Sequence, residues 1–371
     1  MTTPIDHLGY VRLDPRHGVS RAALPGVTVL SEDFWTGYDQ YTVVYDAFLD
    51  ARNVLHVFCP PLVNLKDGVL DGLRAAGIGV AGTSRVTEAR YFIQIEQKNW
   101  DPSVATVDVP LFGHSYNLRI NRQDTELFAG KNTLYAQNKN NRLTWIKDWM
   151  RFHQREQQAN AVLLLDNGST DYTPDELLAA MQSVDGFDAV TVVTAPLPFM
   201  PIGTFRRGPD CNFFQPSMHS LLSRRFLRQA RAVLSLDIDE LLLRRRDRTI
   251  FDAAAANPFG AVCFSGHWVY APDGSAAEYT THRYRRSEDA AHRGKYCYRP
   301  QSFMGRGWQS THMIQKGIRN PICQHVVRTH EFEFLHHRSI STSWASDRSV
   351  HGFDDLVPDP DGDHVAAVLN A

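Results

Sequence analysis

The sequence predicts an α/β fold built on a mainly parallel sheet. From residue 133 onward, short apolar runs alternate with stretches whose apolar residues have helical spacing. Two of the apolar runs end in acidic residues, one in Asp166 and one in Asp237 and Asp239. Strands and helices that alternate in this way form a parallel sheet covered on both faces, and its ligands bind where the strands end. We therefore expect the acidic residues to lie at one ligand-binding edge.

The elements of this region follow from local patterns. In chain order they are a strand at 134–137, a helix at 143–154, a strand at 161–165, a helix from 174, a strand at 188–193, a helix at 213–230 and a strand from 232 into the acidic run. The helix from 174 has the strongest start signal. Thr173 is placed as its N-cap, Pro174 as its first residue and Glu176 as the partner in a capping box.

Residues 1–130 have a different pattern, which predicts a β-rich N-terminal region. Short runs of β-branched and aromatic residues, separated by Pro, Gly, Asn and Asp, predict strands at 41–48, 54–58, 91–96 and 104–111. We therefore expect three parts: this region, an α/β domain at 131–345 and a C-terminal tail at 346–371.

Composition narrows the class of protein. The chain of 371 residues has a formal net charge of −2, so its overall charge does not indicate a nucleic-acid partner. It contains neither an apolar leader nor an apolar run long enough to span a membrane. Five scattered cysteines without a C-x-x-C pair are typical of reduced, buried thiols in an intracellular protein. We expect a cytoplasmic protein, and the arginines at 224–231 and 244–248 leave peripheral membrane contact open.

The acidic run Asp237-Ile238-Asp239-Glu240 is the strongest site signal. In an extended chain Asp237 and Asp239 point the same way, and two carboxylates at the end of a buried strand are costly to keep ionised without a cation between them. Mg²⁺ or Mn²⁺ with hard oxygen ligands is the usual solution. The alternative is an acidic strand end solvated in a loop, but a second acidic strand end at Asp166 favours the metal site. The role of Glu240 stays open.

Several blocks of the chain resemble glycosyltransferases. The segment 138–171, which ends in DNGSTD, is similar to the opening half of family 2-like glycosyltransferases with their D-x-G-S-T-D signature. Further on, the acidic run, KYCYRP at 295–300 and LHHR at 335–338 resemble the D-x-D-E, K-x-x-x-R-P and H-Y-R blocks of glycosyltransferase family 92. The segment 41–52 is similar to a tyrosine- and aspartate-rich strand near the start of that family's homology region. Two departures are His337 in place of the tyrosine of H-Y-R and the missing membrane anchor of eukaryotic members, which points to a bacterial cytoplasmic relative.

The resemblance implies a GT-A fold, a Rossmann-like nucleotide-binding sheet that uses a metal-bound nucleotide sugar, usually with inversion. On this basis Asn138 lies beside the nucleotide and Asp166 contacts its uracil or ribose. Asp237 and Asp239 hold Mn²⁺ or Mg²⁺ against the diphosphate, and His336 is a third metal ligand. The chemistry agrees, because a departing nucleoside diphosphate gains charge that a divalent ion stabilises.

Further candidates are less specific. Lys295 and Arg299 are predicted phosphate ligands, although both could equally be exposed strand charges. An inverting transfer needs a base for the acceptor hydroxyl, and Glu331, Glu333 and Asp289 are the candidates.

Three interpretations follow. The first is a glycosyltransferase that moves a hexose, with galactose as the family expectation, from a UDP-sugar to a glycan acceptor in bacterial surface polysaccharide. The second is a sugar nucleotidyltransferase, against which the absence of glycine from 138–142 counts. The third is a non-catalytic glycan-binding protein that kept the fold. Each motif also has a structural interpretation, since Asn167-Gly168 is typical of a turn and a single histidine is often a core or surface residue.

Overall fold

The computed structural model of the chain describes residues 4–201, 205–206, 211–272, 278–287, 294–307, 309–310, 319–340 and 355–371. Contacts divide the chain into two units. The first consists of Met1–Asp6, Thr125–Ala195 and Leu227–Ala371, and the second of His7–Asp124 and Pro196–Phe226. The domain limits expected from the sequence, at residues 130 and 345, stay a prediction.

The first unit is built on a mixed sheet, which has nine strands in the described part of the chain. In order across the sheet they are Ile5–His7, Ala189–Thr194, Ala161–Asp166, Asn132–Asn138, Ala232–Ser235, Lys295–Tyr298, Ala261–Val269, Arg328–His337 and Glu240–Arg244. The four from Ala189–Thr194 to Ala232–Ser235 are mutually parallel, whereas Lys295–Tyr298 is antiparallel to both neighbours. Arg328–His337 is parallel to Ala261–Val269 and antiparallel to Glu240–Arg244. The predicted α/β class with a large, mainly parallel sheet is confirmed.

Helices pack on this sheet through apolar faces. They are Leu143–Gln157, Pro174–Gln182 and Ile250–Ala256. The unit also has the helices Arg319–Pro321 and Gly362–Asn370, short helical turns at Tyr279–Thr281 and Ile322–Val326, and a small strand pair formed by Tyr284–Arg286 and Leu356–Pro358. Thr173 Oγ1 accepts the N–H of Glu176 at 3.2 Å, and Glu176 Oε2 accepts the N–H of Thr173 at 2.7 Å. The predicted capping box is therefore confirmed.

Side chains of the helix Leu143–Gln157 fix the edge strand Glu240–Arg244. The N–H of Leu242 donates to His153 Nε2 at 3.1 Å, and Gln157 Nε2 donates to the carbonyl of Leu242 at 2.9 Å. Burial lowers the pKa of His153 to about 4, so its neutral ring accepts this hydrogen bond. These two hydrogen bonds satisfy the N–H and the carbonyl of Leu242, which an edge strand would leave unpaired. They hold the strand Glu240–Arg244 in place.

The second unit contains a five-stranded sheet and three smaller strand pairs within its described residues. The larger sheet has the order Asn121–Arg122, Asp46–Leu49, Leu55–Cys59, Ile93–Gln97 and Ser84–Glu88. The pairs are Thr106–Leu111 with His114–Arg119, Val11–Arg12 with Thr42–Val44, and Thr28–Val29 with Phe205–Arg206. The helices are Asp33–Gly37, Lys66–Ala75 and Phe214–Arg225, with single turns at Pro15–His17 and Val63–Leu65.

The second unit contains a buried ion pair. Asp46 Oδ2 is 3.0 Å from Arg225 Nη1, and Asp46 Oδ1 accepts hydrogen bonds from Asn121 Nδ2 and from the N–H of Gly9, both at 2.8 Å. A Cβ at Gly9 would lie 2.5 Å from the carbonyl oxygen of Arg119, so only glycine allows this approach. The single strand predicted at 41–48 is two strands here, because Thr42–Val44 and Asp46–Leu49 pair with different partners.

The state of the cysteines differs from the expectation. Cys263 and Cys323 form a disulfide, and Cys59, Cys211 and Cys297 are buried thiols. The expectation that all five cysteines are reduced is therefore wrong for two of them, and cysteine usage no longer supports a cytoplasmic location. The bond spans 60 residues, for which loop-closure entropy gives a stabilisation of roughly 4 kcal/mol.

Within the described residues, no helix has both the length and the apolar character needed to cross a bilayer.

Candidate functional site

Three adjacent parallel strands of the first unit end at one edge of the sheet. Asn138 lies opposite Asp166 in the strand register, and Tyr135 lies opposite Ser235, two residues before Asp237. The strand Asn132–Asn138 therefore lies between the strand that ends in Asp166 and the strand that leads into the acidic run. The structure brings these strand ends together, as the alternating pattern predicts.

Asp166 closes the turn that follows its strand. Its Oδ1 accepts hydrogen bonds from Asn138 Nδ2 at 2.8 Å and from Ser169 Oγ at 2.5 Å, and its Oδ2 accepts the N–H of Ser169 at 3.0 Å. Asn138 Nδ2 also lies 3.0 Å from the hydroxyl of Tyr172. Both Asp166 and Asn138 are buried, so these groups hold the loop in shape. Direct contact of either residue with a nucleotide stays a prediction.

The acidic run forms a turn between two strands. One strand stops at Ser235 and the next begins at Glu240. The carbonyl of Asp237 accepts the N–H of Glu240 at 3.1 Å, and Glu240 Oε2 accepts the N–H of Asp237 at 2.9 Å. The expectation that Asp237 and Asp239 alternate along one strand is therefore wrong. The chain must turn here because the next strand, Glu240–Arg244, is the last strand in the order across the sheet and does not pair with Ala232–Ser235.

Asp239 faces the imidazole of His336. Asp239 Oδ2 and His336 Nε2 are 2.9 Å apart, and both residues are buried. The imidazole stacks on the indole of Trp268, with ring centroids 3.7 Å apart and 20° between the planes. Strand pairing produces this arrangement, because His336 lies opposite Glu240 on one neighbouring strand and opposite Trp268 on the other. The orientation of His336 is therefore fixed beside the acidic turn.

Lys295 neutralises the acidic turn from inside the protein. Its side chain is completely buried, and Nζ lies 2.7 Å from Asp237 Oδ2 and 3.0 Å from Glu240 Oε2. A phosphate ligand needs exposure, which Lys295 lacks. The structure therefore makes this lysine a counterion of Asp237 and Glu240 and does not present it to a phosphate.

The charges in this cluster are unequally compensated. Burial lowers the pKa of Lys295, but the two neighbouring carboxylates outweigh burial and hold this pKa above its usual range. Burial raises the pKa of Glu240 to about 7 in spite of the ammonium group. The two pKa shifts are consistent with each other, because Lys295 has two carboxylate partners whereas Glu240 shares a single ammonium group with Asp237.

Two further residues hold the turn and were not predicted from the sequence as site residues. The hydroxyl of Tyr279 donates to the carbonyl of Ile238, and the N–H of His337 donates to the carbonyl of Asp239 at 2.8 Å. The rings of Tyr279 and His337 meet edge to face with centroids 4.8 Å apart. The pair of histidines in LHHR gives a sequence signal for His337, whereas nothing local marks Tyr279 or Trp268.

Asp239 Oδ2 and His336 Nε2 are within hydrogen-bond distance of each other, and the same spacing also fits two ligands of one divalent cation. Cis ligands of an octahedral ion with bonds of about 2.1 Å lie about 3 Å apart, which matches the 2.9 Å between Asp239 Oδ2 and His336 Nε2. Asp237 Oδ2 lies against Lys295, and the role of Asp237 as a further metal ligand stays a prediction. In the part of the chain that the structure describes, no three His, Cys, Asp or Glu side chains are arranged to hold a metal. Because Mg²⁺ usually keeps waters and substrate phosphates among its ligands, a two-residue site is sufficient.

Arg299 is not brought to this edge. The strand Lys295–Tyr298 runs antiparallel to Ala232–Ser235, so Arg299 follows its opposite end, about 13 Å along the strand from Lys295. Arg299 is exposed, and its Nη1 donates to the carbonyl of Ala255 at 3.2 Å. Asp289 lies outside the described residues.

Glu331 and Glu333 are paired with cations. Alternation along the strand directs them to the sheet face opposite His336. Both oxygens of Glu331 accept hydrogen bonds from Arg248, at 2.7 and 2.8 Å. The hydrogen bond from His267 is the largest of the contacts that lower the pKa of Glu333 to about 2. A carboxylate with so low a pKa is a poor proton acceptor, which disfavours Glu333 as the base. Arg248 occupies both oxygens of Glu331, so this geometry does not favour Glu331 either.

Most arginines of the two basic runs form ion pairs within the fold. The pairs are Arg225 with Asp46, Arg231 with Asp252, Arg244 with Glu156, Arg245 with Glu333 and Asp361, and Arg248 with Glu331. Charges balanced in this way do not form the continuous basic surface that attracts anionic lipid. Membrane contact therefore has no support from these arginines.

His267 is expected to make stability depend on pH. Its Nδ1 and Nε2 lie 2.8 Å from Glu333 Oε1 and 2.8 Å from Asp359 Oδ2. Burial lowers the pKa of His267, but the hydrogen bonds to Asp359 and Glu333 outweigh burial and raise the pKa to about 9. Because the folded-state pKa is the higher one, this stabilisation is complete below about pH 6.5 and is lost as the pH rises through about 9.

The free energy of unfolding should therefore fall by about 2–3 kcal/mol more in the wild type than in His267→Gln between about pH 6 and about pH 10. Urea denaturation of both proteins across this range measures the difference. Parallel pH profiles would rule out the proposed contribution of His267.

Three solved structures to which this chain is similar are glycosyltransferases. No family model and no curated protein matches the chain. The chain is similar to a crystal structure of GalNAc-T7 with UDP, GalNAc and Mn²⁺ (10% identity, TM-score 0.33, 61% of this chain and 47% of that chain). It is also similar to the mannosyltransferase PcManGT from Pyrobaculum calidifontis in complex with GDP-Man and Mn²⁺ (17%, TM-score 0.26, 48% and 47%). A third is the mannosyltransferase Ktr4p from S. cerevisiae (15%, TM-score 0.25, 39% and 41%). The matches span less than half of each of these proteins, and identity and TM-score are low.

Proposed function

We propose that this chain is a metal-dependent glycosyltransferase of the GT-A type, which transfers a hexose from a UDP-sugar to a glycan acceptor. Asp239 and His336 hold Mn²⁺ or Mg²⁺. The observation that supports this proposal best is the pair of donor atoms, Asp239 Oδ2 and His336 Nε2, 2.9 Å apart in the turn that follows a parallel strand. This is the edge at which ligands of parallel sheets bind.

Each side chain at this edge has a defined task in the proposed reaction. The bound cation would stabilise the charge that develops on the departing nucleoside diphosphate. Trp268 fixes the plane of His336, and Lys295 holds Asp237 at the side of the turn. Asp166 and Asn138 keep the loop at the neighbouring strand ends in shape, which makes that loop the proposed contact for the base and ribose.

The finer assignments rest on the resemblance to family 92. They are galactose as the hexose, inversion at the sugar carbon and bacterial surface polysaccharide as the acceptor. We do not propose Glu331 or Glu333 as the base, because both are paired with cations. Asp289 remains a candidate from the sequence alone.

Thermal unfolding with UDP, in the presence and absence of Mn²⁺, tests the proposal. A ligand that binds the folded state at 100 times its Kd stabilises that state by about 2.7 kcal/mol. We expect UDP with Mn²⁺ to raise the Tm clearly, UDP with EDTA to raise it little, and Mn²⁺ alone to have an intermediate effect. If no nucleoside diphosphate changes the Tm with Mn²⁺ present, the proposal is wrong. Release of pyrophosphate from UTP and a sugar 1-phosphate would instead identify a nucleotidyltransferase.

A further inference from the structure

Glu240 has one carboxylate oxygen without a hydrogen bond in the described structure. Its side chain is completely buried. Oε2 accepts the N–H of Asp237 at 2.9 Å and lies 3.0 Å from Lys295 Nζ. Oε1 has no hydrogen-bond partner within the described part of the chain. A buried carboxylate oxygen is costly to leave unpaired, so a donor that faces Oε1 would stabilise it.

The ring nitrogen Nδ1 of His336, on the next strand, faces Glu240 Oε1. Glu240 lies opposite His336 in the antiparallel register, so the two side chains stand on the same face. Glu240 Oε1 is 3.8 Å from His336 Nδ1, which is longer than a hydrogen bond, while Nε2 on the other side of the ring is 2.9 Å from Asp239 Oδ2. The imidazole therefore lies between a carboxylate facing Nδ1 and the proposed metal-binding carboxylate facing Nε2.

This order of groups matches the chemistry of metal-binding histidines. Such a histidine usually donates its second ring N–H to a carboxylate, which fixes the tautomer and orients the ring. We infer that Glu240 is a positioning residue, which accepts the Nδ1–H of His336 and thereby leaves Nε2 as the metal-binding atom. Lys295 and the N–H of Asp237 fix the other oxygen of Glu240, so that Oε1 faces the imidazole. This inference rests on the proposed function.

The substitution Glu240→Gln tests this role because the amide has only one acceptor. The N–H of Asp237 and Lys295 Nζ both donate to the Oε2 position, so the amide oxygen must lie there. The amide N–H₂ then faces His336 Nδ1, which has to accept, and the ring proton moves to Nε2. A protonated Nε2 cannot bind a metal.

We expect Glu240→Gln to weaken Mn²⁺ binding by about 10- to 100-fold. Electron paramagnetic resonance of free Mn²⁺ measures the Kd with the metal alone, without nucleotide or turnover. Glu156→Gln is the matched control, since Glu156 is a buried glutamate with a histidine contact, His364 Nε2 at 3.2 Å, in the same unit. This control should leave the Kd unchanged.

A second variant covers the case in which the single substitution does not fold. Glu240→Gln with Lys295→Met removes both charges of the buried pair but keeps the Asp237 N–H that orients the amide, so it should also bind Mn²⁺ weakly. If a folded variant with Glu240→Gln binds Mn²⁺ with a Kd within about threefold of the wild type, the inference about Glu240 is wrong, whereas the proposed metal site is not affected. A wild type that binds no Mn²⁺ overturns the proposed metal site, and the inference with it.

Discussion

Asp239→Asn is expected to lower the Mn²⁺-dependent turnover of the UDP-sugar donor by about 10²- to 10³-fold. The amide keeps the shape of the side chain but removes the negative charge that faces His336 Nε2 at 2.9 Å. A neutral amide is a much weaker ligand for a hard cation, so charge on the departing diphosphate is less well stabilised. Release of UDP from a panel of UDP-hexoses measures the effect and also identifies the donor sugar.

Asp252→Asn is the control for this substitution. Asp252 forms an ion pair of 2.6 Å with Arg231 in the same unit and has a side chain that is 47% exposed. It should retain wild-type turnover. If Asp239→Asn keeps more than about one third of the wild-type rate, Asp239 does not hold a metal that the reaction needs.

Lys295→Met is expected to lower the free energy of unfolding by about 3–5 kcal/mol at a pH above 8. The methionine fills the space of the lysine stem but leaves Glu240 buried without its counterion. Near neutral pH the loss should be smaller, because burial already raises the pKa of Glu240 to about 7 and the carboxyl group then takes up a proton. Urea denaturation at two pH values measures both effects.

A double-mutant cycle separates the charge from the packing. Lys295→Met with Glu240→Gln removes the uncompensated charge of the buried Glu240, so this variant should be more stable than Lys295→Met alone. Strictly additive losses in the two single variants would show that Lys295 does not compensate the charge of Glu240.

The parallel half of the sheet could be predicted from the sequence because its signals are local. A continuous apolar run predicts the strand Ala161–Asp166, and the spacing of Thr173, Pro174 and Glu176 predicts the start of the next helix. Parallel strands place their carboxyl ends at one edge, so the proximity of Asn138 and Asp166 follows from the pattern without further information.

The partners of the acidic residues could not be predicted from local patterns, because they depend on which distant strands pair. Only the family resemblance places His336 with the acidic run. The acidic run is a turn because the next strand pairs at the sheet edge with Arg328–His337, about ninety residues further along the chain. The antiparallel strand Lys295–Tyr298 brings Lys295 to the turn and takes Arg299 away from it. The same strand register directs Glu331 and Glu333 away from His336.

The position of the metal tests the central claim most directly. Crystals grown with UDP and Mn²⁺ give an anomalous signal at the manganese absorption edge, which locates the ion independently of the rest of the density. The proposed site predicts a peak about 2.1–2.2 Å from both Asp239 Oδ2 and His336 Nε2, with diphosphate oxygens among the remaining ligands. A manganese ion bound by other residues, or a nucleotide bound at this edge without any metal, would contradict it.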